Sequence, residues 1–353
     1  MVRRTSTLTR RTVIGGTLAG ALAPSSIVRR ASAQEKTVYI QSYGGLATQA
    51  EESAYYKPFT AETGIEVRPV TPWSYAKLKA EVQSGNYEFD LSTMNPGEIF
   101  QAREEGLLEP VDWSILSRDA LPSHMILHDM AVGTHVIGTP LCYRKDKFPN
   151  GGPKSWADFW DVKKFPGPRA MYDRSFSALA FALLADGVPR DKLFPMDFDR
   201  AFKKLDELKP HIKVWYTQGS QQQQLIKDGE VDMQPMWNAR AQELIDQGVP
   251  IEIVWNGAEH QPTFWYVAKG TPRAKLAWQY IASNAKPQRL AAICTLTMYG
   301  PQNPRAFDFI APERARVMPT WPEHLRVSFQ PDFEWLGPRL NALKERWTQW
   351  LAT

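Results

Sequence analysis

From residue 36 onward, short β-type runs alternate with helical ones, the pattern of an α/β fold whose helices cover a largely parallel sheet. Residues 37–43, 65–70 and 89–93 predict strands. Between them, 47–63 and 75–84 predict helices ended by Gly64 and Gly85. A long, apolar, β-prone run at 132–144 reads as a first crossover into a second lobe. That lobe opens with Pro/Gly-rich passages at 148–153 and 165–168 around a helical 155–160. A strand at 169–173, a helix at 175–186 closed by Gly187 and a helix at 198–208 follow. In the last of these Phe198, Phe202, Leu205 and Leu208 fall on one helical face, which marks them as core. Strands are predicted at 213–216, 231–237 and 251–255, and 263–268 reads as the return crossover. Helices at 272–283 and 287–296 rejoin the first lobe, and the tail ends in a helix carrying Trp347 and Trp350.

In open α/β sheets, ligands bind beyond the carboxyl ends of strands, where the following helices present free N–H groups. The residues predicted there are Tyr43, Gly44 and Gly45; Asn95; Asp173, Arg174 and Ser175; Tyr216; and Trp237 with Asn238. Taken singly, each has a plain structural role: Gly44-Gly45 as a turn, Trp237 as core, Asp173 or Ser175 as a helix cap. Their concentration at strand ends in both lobes points to one site between the lobes.

The N-terminal stretch changes the charge picture. Arg3-Arg4 and Arg10-Arg11 precede a mild apolar run at 13–22, and Ala31-Ser32-Ala33 closes the stretch. These are the parts of a secretory signal over 1–33, and the paired arginines resemble the twin-arginine type, implying export and a periplasmic mature protein. The apolar run is short for a membrane anchor. The chain holds 42 Lys+Arg against 38 Asp+Glu, and 1–33 contains six Arg and no acid. The mature part therefore carries 36 against 38, a net charge of −2, which removes the basic surface that nucleic-acid binding requires. At 43% hydrophobic and 23% charged residues, it suits two globular domains. Cys142 and Cys294 could form a disulfide or sit as two buried free thiols; small buried thiols are the simpler reading.

Several segments carry a family resemblance in order: SYGG at 42–45, PFTAETGIEV at 58–67, GLLEPVDWS at 106–114 and KSWADFWD at 154–161. DGEVDMQPMWNARA at 228–241, WYVAKGTP at 265–272 and YGPQNPRAF at 299–307 complete the set. Together they resemble the spermidine/putrescine-binding protein family, the periplasmic receptors of ABC importers. The resemblance implies a two-lobe, type II periplasmic binding protein of the Venus-flytrap kind with hinge crossovers. Its lobes would comprise 36–139 plus 258–311, and 140–257 plus 312–353. It further implies a monomer that binds one small solute, requires no cofactor, and delivers to an inner-membrane ABC permease.

Polyamine receptors hold their ligand between aromatic faces with carboxylates on the amines. Trp237 matches a cleft tryptophan of that family, but Arg174 and Ser177 stand where it places two acids, and Phe264 where it has an Asp. Arg240 adds a second guanidinium, leaving Asp173 and Glu259 as the nearby acids. Guanidinium forks suit a carboxylate, so an amino-acid-like solute is expected, with a genuine spermidine/putrescine receptor as the alternative.

An exported enzyme is the rival of another class. Ser74-x-x-Lys77 has the spacing of penicillin-binding enzymes without their companion motifs. Gly-x-Ser-x-Gly and His-Glu-x-x-His are absent. His124 and His128 are spaced by four but lack a metal motif, and Tyr55-Tyr56, which a ferric-ion receptor would place at a strand end, falls inside a predicted helix. Neither catalysis nor a metal is therefore expected.

Overall fold

The computed structural model describes residues 36–353; the signal expected over 1–33 lies outside them. The described strands are β1 (Thr37–Gln41), β2 (Glu66–Val70), β3 (Leu91–Met94), β4 (Ile126–Leu127) and β5 (Ala131–Arg144). They continue as β6 (Arg169–Tyr172), β7 (Ile212–Tyr216), β8 (Met233–Pro235), β9 (Ile251–Val267) and β10 (Gly300–Pro301). The helices are α1 (Gly45–Glu51), running through a π turn at Glu52–Tyr56 into α2 (Lys57–Thr63), then α3 (Tyr75–Ser84), α4 (Pro96–Glu104), α5 (Trp156–Trp160) and α6 (Ser175–Ala185). Next come α7 (Phe198–Leu208), α8 (Gly219–Lys227), α9 (Asn238–Asp246), α10 (Ala274–Asn284) and α11 (Pro287–Thr297). Three short helices, α12 (Pro312–Ala315), α13 (Pro322–Val327) and α14 (Phe333–Leu336), lead to α15 (Leu340–Ala352).

The sheet order is β2-β1-β3-β9-β5-β8-β6-β7, with β4 and β10 beside β5. Pairing is parallel within β2-β1-β3 and within β8-β6-β7. The middle is antiparallel, where β9 joins β3 and β5, and β5 joins β8. The expectation of a largely parallel sheet therefore holds for each half and fails at the centre. The strands predicted at 251–255 and 263–268 are one continuous strand, because the polar residues between them keep their ladder with β5 from Val136↔Pro262 to Thr139↔Glu259. Side-chain polarity interrupted the sequence pattern while the backbone pairing continued.

Local signals explain the helices the sequence located well. Ser74 caps α3 by accepting from Lys77 N at 3.3 Å, and Gly85 closes it in the left-handed region at φ 73°. Ser74 of the Ser-x-x-Lys pattern is thus a helix cap, while Lys77 pairs with Glu88. In α7 the apolar stripe packs Phe202, Leu205 and Leu208 inward. Helix α4 was not anticipated, since its buried residues Pro96, Gly97, Ile99 and Ala102 form no clean amphipathic stripe.

Each parallel half is covered on both faces, as parallel sheets require. Val38, Phe59, Trp265, Tyr280 and Leu290 pack on one face of the first half, and Leu78, Phe89, Ile99 and Tyr266 on the other. In the second half Met171, Phe181, Leu205, Phe333 and Trp347 form one layer, and Ala170, Tyr216, Ile226 and Leu244 the other. Cys142 and Cys294 are free, buried and in different layers. Tyr55 and Tyr56 are likewise interior, bonded to Thr134 and Glu51. Among the described residues no helix is long and apolar enough to cross a membrane.

Two buried charges are fully engaged. Asp90 is 0% exposed and accepts from Tyr39 N at 2.8 Å, from the Thr271 hydroxyl, and from Arg273 Nε at 2.9 Å. It ties β1 to the loop that opens α10. Arg169 donates to the carbonyls of Phe159, Phe165 and Gly167, and burial lowers its pKa to about 10. Truncating one partner strands the other in a water-free site. Asp90→Ala should therefore cost about 3–5 kcal/mol of unfolding free energy, read as a lower urea midpoint of the mature protein without a change in slope.

Candidate functional site

The carboxyl ends of the two parallel half-sheets carry contrasting chemistry. On the first, Tyr43 follows β1, and its ring stacks on Trp73 at 5.4 Å and 12° while its hydroxyl donates to Thr93 O at 3.3 Å. It is 53% exposed, unusually open for a large aromatic residue here. Its phenol is nevertheless held well above the ordinary range, first by the surrounding protein and then by Glu98 and Glu51. Gly44 (φ 86°) caps α1 and donates its N–H to Thr48 Oγ1 at 3.0 Å; Gly45 (φ 58°) begins the helix with open space beside it. Positive φ explains both glycines. Glu51 accepts from Ser42 Oγ at 2.8 Å and Tyr56 Oη at 2.6 Å, and its pKa is raised by burial.

Asn95, at the end of β3, forms a reciprocal capping box with Glu98, each bond 3.1 Å long. Its side-chain oxygen is committed to the helix. Burial raises Glu98, and the Asn95 backbone bond and then Arg174 offset part of that rise.

On the second half, Tyr172 stacks on Tyr216 at 5.4 Å and 7°, and meets Trp237 edge-on at 5.8 Å and 88°. Tyr216 is buried and donates to Pro235 O at 2.5 Å, so it backs the group from below. Arg174 lies over Phe176 at 4.3 Å and over Tyr172 at 5.8 Å, and donates Nη1 to Gln261 Oε1 at 3.0 Å. Ser175 begins α6 directly after it. Arg240 donates Nη1 to Gln223 Oε1 at 2.6 Å. Tyr299, stacked on His135 at 4.7 Å, is raised by burial and drawn down by Arg240. The fields of both arginines thus reach groups of the first half: Arg174 acts on Glu98, and Arg240 on Tyr299.

Three expected residues serve other contacts. Asp173 accepts from Trp347 Nε1 at 2.7 Å, which fastens α15 to the end of β6. Asn238 is 1% exposed and spans two elements: it accepts from Gly138 N at 3.0 Å and donates to Met298 O at 2.6 Å. Phe264 is buried on the face of β9 opposite Gln261, where with His124, His260, Gln302 and Thr320 it lines a cavity of about 340 Å³. The tight group therefore comprises Arg174, Trp237 and Arg240 from the expected set, supported by Tyr216, with Tyr43 at the end of the first half. Tyr172, Trp73, Tyr299 and Gln261 were missed; Tyr172 and Gln261 stood beside or on strands already assigned.

The histidine pair is separated by its partners. His124 bonds Gln302 O at 2.7 Å and His128 pairs with Glu334 at 3.1 Å. Among the described residues no three His, Cys, Asp or Glu side chains converge as a metal site.

A family model for bacterial extracellular solute-binding proteins matches residues 54–320. A gamma-aminobutyric acid-binding protein of Pseudomonas aeruginosa is 33% identical over 328 residues, covering 91% of this chain and 93% of that protein. A spermidine/putrescine-binding periplasmic protein of Escherichia coli is 24% identical, covering 86% and 88%. Among solved structures, a GABA receptor superposes with TM-score 0.83 at 34% identity, covering 90% of this chain and 98% of that one. A periplasmic binding protein of A. tumefaciens in complex with agropinic acid gives 0.77 at 31%, covering 90% and 99%.

The arginine–aromatic group depends on a glycine. A Cβ on Gly219 would lie 2.6 Å from Trp237 Cζ3 and 2.9 Å from Arg240 Nε. Because the indole is rigid, Gly219→Ala must displace it, at about 1–3 kcal/mol. The expected result is a changed near-ultraviolet circular dichroism spectrum and a lower urea midpoint with unchanged far-ultraviolet signal.

Proposed function

The chain belongs to the bacterial extracellular solute-binding protein family, and from that premise we propose that its solute is a small zwitterion carrying a carboxylate and an amine. The protein is the substrate-binding component of an ABC transporter. The observation that carries the ligand reading is the pair of arginines on the second half. Arg174 and Arg240 each use one N–H on a glutamine and keep their other donors for an anion. A planar guanidinium fork matches a carboxylate in a bidentate pair. Tyr172, Trp237 and Tyr43 supply rigid walls that suit both the ligand's methylenes and its cationic end. Relatives named for gamma-aminobutyric acid and a neighbour holding agropinic acid support the same ligand class.

In this reading the mature protein works in the periplasm after loss of a twin-arginine-type signal, as a monomer. The lobes are 36–139 plus 258–311 and 140–257 plus 312–353. The ligand favours closure because only the closed form lets both lobes touch it, and the permease receives that form. The receptor performs no chemistry on its solute.

Calorimetric titration of the mature protein tests the ligand class. 4-Aminobutanoate or a close homologue should bind, and Arg174→Ala and Arg240→Ala should each weaken it by roughly 10- to 100-fold, the loss of a hydrogen bond to a charged group. Small-angle scattering should record a smaller radius of gyration with saturating ligand. Tight spermidine binding alongside silence toward every amino acid would show a polyamine receptor instead.

A further inference from the structure

Most buried charges in this chain are answered by partners; Glu259 is not. It lies within β9, paired with Thr139 of β5 and bridged to Phe329, and is 1% exposed. Neither carboxylate oxygen has a hydrogen-bond partner. The hydroxyl of Ser177, also 1% exposed, is unpartnered as well. Burial pushes the Glu259 carboxyl upward; Arg174 first, then Ser177, pull it partly back. The other ionisable groups that feel it are Tyr172 and Tyr216, both raised mainly by burial. Glu259 therefore sits beneath the aromatic and arginine group described above, and Gln261, the next residue on its face of β9, holds Arg174.

We infer that Glu259 is the ammonium-binding residue of the site, with Ser177 as its second acceptor. This rests on the zwitterion reading for the other end of the ligand. An ammonium group offers three N–H donors and no acceptor. Two Glu259 oxygens and one Ser177 oxygen supply three acceptors without partners. An unanswered buried carboxylate is costly in the empty protein. An ammonium removes that cost only when ligand is present, so part of the binding energy comes from relieving a defect built into the fold. With Arg174 close enough to perturb Glu259, one small molecule can place its anion on the guanidinium and its cation on the carboxylate. The two charges on the protein then select for a ligand that carries both.

Glu259→Gln keeps the shape and removes the charge. Four probes are titrated into wild type and variant: 4-aminobutanoate, butanoate, butylamine and putrescine. The inference requires that every amine-bearing probe bound by wild type lose roughly 10- to 100-fold in affinity, while butanoate changes less than about threefold. Equal affinity of both proteins for an amine-bearing probe overturns it, as does a wild type that accepts only amine-free acids. Were wild type to take putrescine but not 4-aminobutanoate, the zwitterion reading would fall, and a loss in the variant would still uphold Glu259 as the ammonium residue.

Stability gives a second readout. A carboxyl whose folded pKa is raised contributes stability below its unfolded pKa and loses it as pH rises through the folded value. Empty Glu259→Gln should thus melt no lower than wild type at pH 7, with any advantage shrinking toward pH 5. A variant that melts clearly lower at pH 7 would mark Glu259 as structural and overturn the inference.

Discussion

The antiparallel ladder between β5 and β9 is the constraint on which the rest of the structure depends. Two parallel half-sheets have no shared edge geometry that would let them merge directly; the long strands Ala131–Arg144 and Ile251–Val267 give each half one antiparallel neighbour and run on into the other. The ladder is not uniform. Its register shifts between Gly133 and Val136 and again between Thr139 and Leu141, so each crossover bends where it passes from one half to the other. The glycines there are steric necessities: a Cβ on Gly133 would collide with Gln302 at 2.3 Å, and one on Gly138 with Trp255 at 2.8 Å. Asn238 and Gln302 then fasten neighbouring segments to the bent region by hydrogen bonds to Gly138, Met298, Thr263 and His135.

That splice decides where chemistry can gather. Parallel strands in both halves end toward the region bordered by Tyr43, Tyr172 and Trp237, and the polar face of β9 lies between them. The buried charges divide into two kinds. Asp90 and Arg169 are surrounded by partners from their own half and hold it together. Glu259 has the same depth and none of the partners. Equal burial with unequal satisfaction separates a structural charge from one kept for a ligand, a distinction that burial alone does not make.

Much of the fold was legible because its signals are local. The Ser74 cap and Gly85 stop bound α3, and the stripe from Phe198 to Leu208 bounds α7, with no long-range help. The crossover β9 was read as two strands because Asn256, Glu259, His260 and Gln261 interrupt its apolar pattern, although the ladder with β5 continues through most of them. In the site, Arg174, Trp237 and Arg240 follow from strand ends. Asp173 and Asn238 look equally available in one dimension, yet Trp347 and Met298 claim them from 174 and 60 residues away. Tyr172 escaped notice for the opposite reason: it reads as an ordinary strand residue until Tyr216 and Trp237 close around it.

The departures from the polyamine pattern acquire a physical meaning once the charges are placed. A dication such as putrescine needs acid at both ends, and beside Arg174 the site would oppose one of them. Asp173, the acid that the sequence left nearest, is occupied by the Trp347 indole. What remains around the aromatic group is an arginine pair with unused donors and one buried, unanswered carboxylate. A ligand with a single charge leaves one of these unmatched, and leaving a buried charge unmatched is the heavier penalty. The same aromatic box can therefore serve relatives with different solutes, because its walls are indifferent to charge order while the residues at its ends are not.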